Sequence, residues 1–270
     1  MCRMLAMISD REEFLTEELL NLPNNLCLQS YQHSDGWGFA HFEKSGLPKL
    51  YKSIKSAHSD GLYENLARLV RSSGFLAHIR RATVGRVCLA NAHPFQQGMN
   101  LFAHNGHIQN FSQAEEKIAA MIPPSLRHLR AGQTDSEALF LALMGFAGQK
   151  AGAFEPSNLS EGLAKIQEVV GPFSQFKEGE NIGTSQFTFI LLSAKKLIAF
   201  NGGRALYIKT VRPDEEGLHQ PFSQRRDSLS ENKVLVSSEI IGDPNQWLEI
   251  PFGNLMVVEV GRAPLLRKVA

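Results

Sequence analysis

Strand-like runs gather at the two ends of this chain and helix-period runs fill its middle, an arrangement that restricts the fold more than any other feature. The spacing predicts strands over residues 2–8, 37–42, 74–79 and 100–104, and again over 186–193, 196–200, 205–209, 233–237 and 255–260. Helices are predicted over 10–20, 62–72, 113–121, 135–146 and 159–170, with Pro123-Pro124 and Gly171-Pro172 as stops. Ala194-Lys195 and the stretch from Asn201 to Arg204 read as hairpin connections, which makes the late strands an antiparallel meander. No linker composition interrupts the pattern, so residues 1–270 are expected to form a single domain. Residues 210–232, charged and nearly devoid of apolar side chains, are expected to be a mobile surface loop.

Lysine and arginine together number 28 against 27 acidic residues. The resulting net charge of +1 offers no global attraction to nucleic acid or to an anionic membrane, and the substrate is expected to be a small molecule. Cys2, Cys27 and Cys88 are too few and too scattered for a disulfide framework, and no export signal is evident, so the cytoplasm is the expected compartment. No apolar run approaches the roughly 20 residues needed to cross a bilayer.

Against this background the second residue stands out. With Met1 removed, Cys2 would carry a thiol and a free α-amino group together, one residue serving as nucleophile and base. The amine titrates at about 7.7–8.0 and an ordinary thiol at about 8.5, so proton exchange between them is nearly thermoneutral.

Four polar clusters follow in order: His78-Ile79-Arg80-Arg81-Ala82-Thr83, Asn91-Ala92-His93-Pro94, His104-Asn105-Gly106 and Thr134-Asp135-Ser136-Glu137. Each lies after an apolar strand or before a helix, where rigid elements present functional groups. The last also has the form of a capping box, Thr134 capping a helix and Glu137 returning the bond, which would place Asp135 in the helix's first turn. Cys88, His93, His104 and His107 match no common zinc spacing, and no metal or cofactor is expected.

Together with Cys2, these clusters resemble the class II glutamine amidotransferases, which are N-terminal-nucleophile hydrolases, and in particular stand-alone members related to ergothioneine-pathway and glutathione-degrading γ-glutamyl amidases. His33-Ser34-Asp35-Gly36-Trp37-Gly38, Ser237-Ser238-Glu239 and Asn245-Gln246-Trp247 look like that subgroup too. The resemblance implies an α+β fold, a four-layer αββα sandwich of two mainly antiparallel sheets. It implies hydrolysis of glutamine or a γ-glutamyl amide through a γ-glutamyl thioester on Cys2, releasing glutamate and ammonia or an amine. Asn105 and Gly106 then supply the oxyanion hole, Arg80 and Thr83 receive the substrate carboxylate, and Asp135 receives its ammonium group. Asn91, His93 and His104 are expected to brace the site.

Two departures qualify the resemblance. Arg81 stands where sugar-phosphate-producing members usually carry tryptophan, and Val84 where they often carry histidine. A cation at that position would favour a substrate with an extra carboxylate, such as a γ-glutamyl peptide. No acceptor domain is evident, so the expectation is outright hydrolysis or ammonia handed to a separate synthase subunit, with a peptidase subunit as another possible partner. A non-catalytic glutamine- or γ-glutamyl-binding or regulatory subunit is the alternative from a different class.

Overall fold

The computed structural model describes residues 2–82, 85–146, 154–176, 184–211 and 233–269. Among these, thirteen strands form two sheets in which every neighbouring pair is antiparallel. The first runs β11 (Leu248–Glu249), β9 (Tyr207–Val211), β10 (Lys233–Ser237), β1 (Arg3–Phe14), β4 (Arg71–Ile79), β2 (Trp37–Phe42), β3 (Pro48–Ser53). The second runs β13 (Leu265–Lys268), β12 (Asn254–Glu259), β8 (Lys196–Phe200), β7 (Gln186–Leu192), β6 (Asn100–His107), β5 (Phe95–Gln97).

Side-chain alternation turns these sheets into four layers. Met4, Ala6 and Ile8 of β1 meet Leu101 and Ala103 of β6 in the core between the sheets. Leu5 and Met7 point the other way, under α2 (Gly61–Leu69) and near the short α1 (Leu26–Gln29). Phe102, Phe187, Phe189 and Phe200 line the far face of the second sheet beneath α3 (Phe111–Met121), α4 (Asp135–Met144) and α5 (Pro156–Val170). Full burial contributes about 1.5–3 kcal/mol for each such large apolar side chain. The expected αββα sandwich is the observed one. Residues Asp135 to Leu143 of α4 are all buried, which explains why this helix has no polar stripe and why it holds a fixed position against β6.

Several local expectations are corrected. The predicted helix over 10–20 begins as strand: β1 continues to Phe14 past a register shift between Ile8 and Glu13, and Glu13 and Phe14 pair with Ser72 and Arg71. Only a π-helical turn at Glu17–Asn21 follows. That same pairing ends α2 at Leu69, because Arg71 and Ser72 belong to β4. The stretch from Asn201 to Arg204 is no hairpin, since β8 lies in the second sheet and β9 in the first, and the chain crosses between sheets there. Ala194-Lys195 does join a hairpin, β7 to β8. β3, β5, β11 and β13 carried too little apolar alternation to be read from sequence. The loop expected at 210–232 lies, from 212 onward, outside the described residues.

Candidate active site

Cys2 immediately precedes β1, a strand held on both edges by β10 and β4. The alternation that sends Met4 and Ala6 between the sheets puts Cys2 on the same side. Its sulfur accepts from the Arg81 N–H at 3.4 Å and lies 3.5 Å from the Arg81 carbonyl. Burial raises the thiol's pKa above its ordinary value, with the Arg81 N–H and the charges of Arg80 and Arg3 pulling the other way.

The end of β4 is held by the turn before β2. The Arg80 N–H donates to Gly36 O, the Asp35 N–H to Arg80 O, and the Ala82 N–H to the Asp35 carboxylate at 2.8 Å. The Arg80 guanidinium is buried and donates to the carbonyls of Arg86, at 2.9 Å, and Gly85. Asn91 ties this loop to the start of α4, donating to Arg86 O and accepting from the Gln133 N–H. Arg81 exposes its side chain. Thr83 lies outside the described residues.

On the opposing sheet, β6 delivers the other cluster. Asn105 follows Leu101 and Ala103 on the face between the sheets, and among the described residues its buried side-chain Oδ1 has no hydrogen-bond partner. Gly106 sits where β6 packs tightly against β7, and a Cβ there would sit 2.2 Å from Gln186 O. His104 is buried on the far side, its Nδ1 2.8 Å from the Ser136 hydroxyl and its Nε2 3.3 Å from Gln186 O. Burial lowers its pKa, with Asp135 opposing, so the ring is neutral. A carbonyl can only accept, so Nε2 carries the proton and Nδ1 accepts from Ser136.

Asp135 opens α4 and joins it to the exit of β6, accepting from the Ile108 N–H at 2.9 Å and the Ser136 N–H at 2.8 Å. Thr134 caps the helix as its sequence predicts, but Glu137 does not return the bond. Its carboxylate instead accepts from the N–H groups of Ala131 and Gly132, fixing the chain before the cap. His93 packs its ring on His78, centroids 4.3 Å apart, and among the described residues neither buried ring has a hydrogen-bond partner. Burial drives the His78 pKa down to about 3 and that of His93 well below the ordinary range.

A cleft of about 320 Å³ opens beside these groups, lined among others by Arg3, Asn105, Phe176, Asn201, Arg204 and Ser238. Arg3 pairs with Glu239 at 2.8 Å, and its guanidinium donates to the Cys2 carbonyl. Arg204, Phe176 and Asn201 escaped the sequence reading, the only available signal being the Asn-Gly-Gly-Arg run. Among the described residues, no three His, Cys, Asp or Glu side chains converge as metal ligands.

Residues 1–269 match the family described as glutamine amidotransferases class-II. The chain belongs to the class II glutamine amidotransferases. This amidotransferase is 30% identical over 198 residues to a Haemophilus influenzae protein named "Putative glutamine amidotransferase", covering 69% of the chain and 60% of the relative. It is 32% identical over 116 residues to the γ-glutamyl-hercynylcysteine sulfoxide hydrolase of Mycolicibacterium smegmatis, covering 39% of the chain and 51% of that relative. The matches thus span only about half to three-fifths of those two relatives' length. In fold, the amidotransferase is similar to a class II glutamine aminotransferase domain protein from Silicibacter pomeroyi, with TM-score 0.63, 20% identity and 99% of each chain covered. The Bacillus subtilis glutamine phosphoribosylpyrophosphate amidotransferase superposes with TM-score 0.61 at 15% identity, over 99% of this chain and 49% of that one. These neighbours share the N-terminal-nucleophile fold of two stacked antiparallel sheets. No helix among the described residues is long and apolar enough to cross a membrane.

Proposed function

We propose that this chain hydrolyses γ-glutamyl amides, glutamine among them, with Cys2 as nucleophile once Met1 is gone. The observation that carries this reading is the Cys2 sulfur held against the Arg81 peptide just ahead of β1, with Asn105 on the facing sheet, its buried Oδ1 without a partner among the described residues. The Cys2 sulfur attacks the γ-carbonyl carbon and the α-amino group takes the thiol proton. The C–N bond then breaks, that proton leaves on the departing amine, and a γ-glutamyl thioester remains. Water, deprotonated by the same amine, cleaves the C–S bond and releases glutamate.

Asn105 Nδ2 and the Gly106 N–H stabilise the oxyanion, the task of donors preorganised around the developing charge. Arg80 and Asp135 recognise the α-carboxylate and α-ammonium groups of the glutamyl unit. Both are buried and anchored by backbone partners, which fixes their direction. Asn91, His93 and His104 hold the loops that carry them. The hydrolase name of one relative supports the hydrolytic reading. Delivery of ammonia to a synthase is a second reading, favoured by the fold neighbour that is an amidotransferase of about twice the matched length.

Cys2→Ala is expected to abolish glutamate release from glutamine and γ-glutamyl amides with the Tm unchanged within a few degrees. Intact mass should show Met1 lost and one equivalent of a glutamine-mimicking diazo ketone bound. Full turnover by Cys2→Ala would overturn the proposal.

A further inference from the structure

Arg204 is the buried cation of the cleft that the mechanism leaves unused. It is 9% exposed, and among the described residues its Nε and Nη2 have no hydrogen-bond partner. Among the described residues no carboxylate pairs with it; Phe176 covers one face of the guanidinium, its ring centre 3.4 Å from Cζ. Burial, with the nearby Arg3 charge, pushes its pKa down to about 10.

The main chain that carries Arg204 is fixed. The Thr188 hydroxyl accepts from the Arg204 and Gly202 N–H groups, at 2.8 and 3.1 Å, and lies 3.1 Å from Arg204 O. The Asn201 amide donates to Ile250 O and accepts from the Gly203 N–H. Gly203 carries a φ of +120°, and a Cβ there would lie 2.1 Å from Ser174 O; its own carbonyl accepts from the Phe176 N–H. Phe176 and Arg204 are therefore set against each other by the backbone.

We infer that Arg204 binds a carboxylate on the leaving-amine side of the scissile bond, which selects γ-glutamyl amino acids and peptides over simple amides. This rests on Cys2 being the nucleophile. The cleft that holds Arg204 also holds Asn105, so a substrate whose carbonyl oxygen reaches Asn105 extends its leaving group past Arg3 towards Arg204. Arg3 is already paired with Glu239, Arg80 donates to the Arg86 and Gly85 carbonyls, and Arg81 is exposed and does not line the cleft. Glu239 and Glu249 balance Arg3 and Arg204 along the walls. A neutral cleft with separated charges suits a zwitterion, an amino acid leaving with its amine protonated, better than it suits a dianion such as phosphate.

The test compares γ-glutamylglycine with γ-glutamylglycinamide, which differ only at the remote carboxylate. The wild-type protein should favour the carboxylate substrate by at least about tenfold in kcat/KM, with the difference mostly in KM. Arg204→Gln should bring that ratio close to one, and Arg204→Lys should retain part of it. Equal wild-type rates on both substrates, or a wild-type ratio in Arg204→Gln, would overturn the assignment while leaving γ-glutamyl hydrolysis standing. If Arg204→Gln does not fold, the wild-type ratio and Arg204→Lys decide. A wild-type protein that has lost Met1 yet releases glutamate from neither substrate nor glutamine overturns the hydrolase reading and this inference with it.

Discussion

The sulfur of Cys2 is held by the peptide of Arg81, whose N–H and carbonyl approach it at 3.4 and 3.5 Å. The N–H favours thiolate and the carbonyl favours thiol, so burial decides the balance and raises the pKa. In protein that retains Met1, alkylation of Cys2 by iodoacetamide should therefore keep accelerating as pH rises past about 8.5, the ordinary thiol value. A plateau reached by pH 8 would contradict this. Arg81→Ala, which keeps the peptide, should leave the profile in place.

Among the described residues the buried Asn105 Oδ1 has no partner, so Asn105→Ala should separate catalysis from stability. The expected loss is about 10²–10³-fold in kcat for glutamate release, the cost of one oxyanion donor. Urea unfolding should change little. A kcat within threefold of wild type would remove Asn105 from the mechanism.

Thr188 anchors the crossing between sheets through one buried hydroxyl. Thr188→Val preserves shape and leaves two N–H donors without an acceptor, at about 1–3 kcal/mol for each. Chemical denaturation should register that loss, and the preference for γ-glutamylglycine should weaken as Arg204 loses its fixed position. Unchanged stability would mean that the crossing is held by other contacts.

The His78 and His93 rings make stability depend on pH. Both are neutral in the folded state because burial lowers their pKa values, to about 3 for His78, whereas the unfolded chain takes up protons below about 6.5. Their contribution is thus complete above pH 6.5 and is lost progressively as pH falls towards 3. Melting followed by circular dichroism should show the Tm dropping from pH 7 to pH 5. His93→Gln should make that drop shallower, and an equally steep fall in the variant would assign the effect elsewhere.

The clusters were legible in sequence because each was read beside a strand or helix end, although β6 runs on through His104-Asn105-Gly106 to His107 instead of ending at 104. Strand over 196–200 was legible for a similar reason: a run of apolar residues carries its own signal. The partner of a strand carries none. Asn201 to Arg204 looks like a hairpin because its turn chemistry is the same whether the next strand pairs with the last or crosses to the other sheet, and Arg204 was overlooked with it. Likewise the spacing of Thr134 and Glu137 predicts a reciprocal box, while the carboxylate's actual partners, Ala131 and Gly132, depend on how the preceding loop approaches the helix. The helix predicted over 10–20 failed because a long strand opposite offered residues 13 and 14 a better set of backbone partners than a helix could.

The pairing of β1 with β10 also imposes an order in time. Leu5 sits against Ser237, far along the chain, so a ribosome must translate past residue 237 before the first strand gains its second neighbour. Until then the opening segment can pair only with β4, and the wall formed by Ser238 and Glu239 does not yet exist. A nascent chain consequently keeps Cys2 accessible to processing while the cleft that Arg3 and Ser238 help to line is still unfinished.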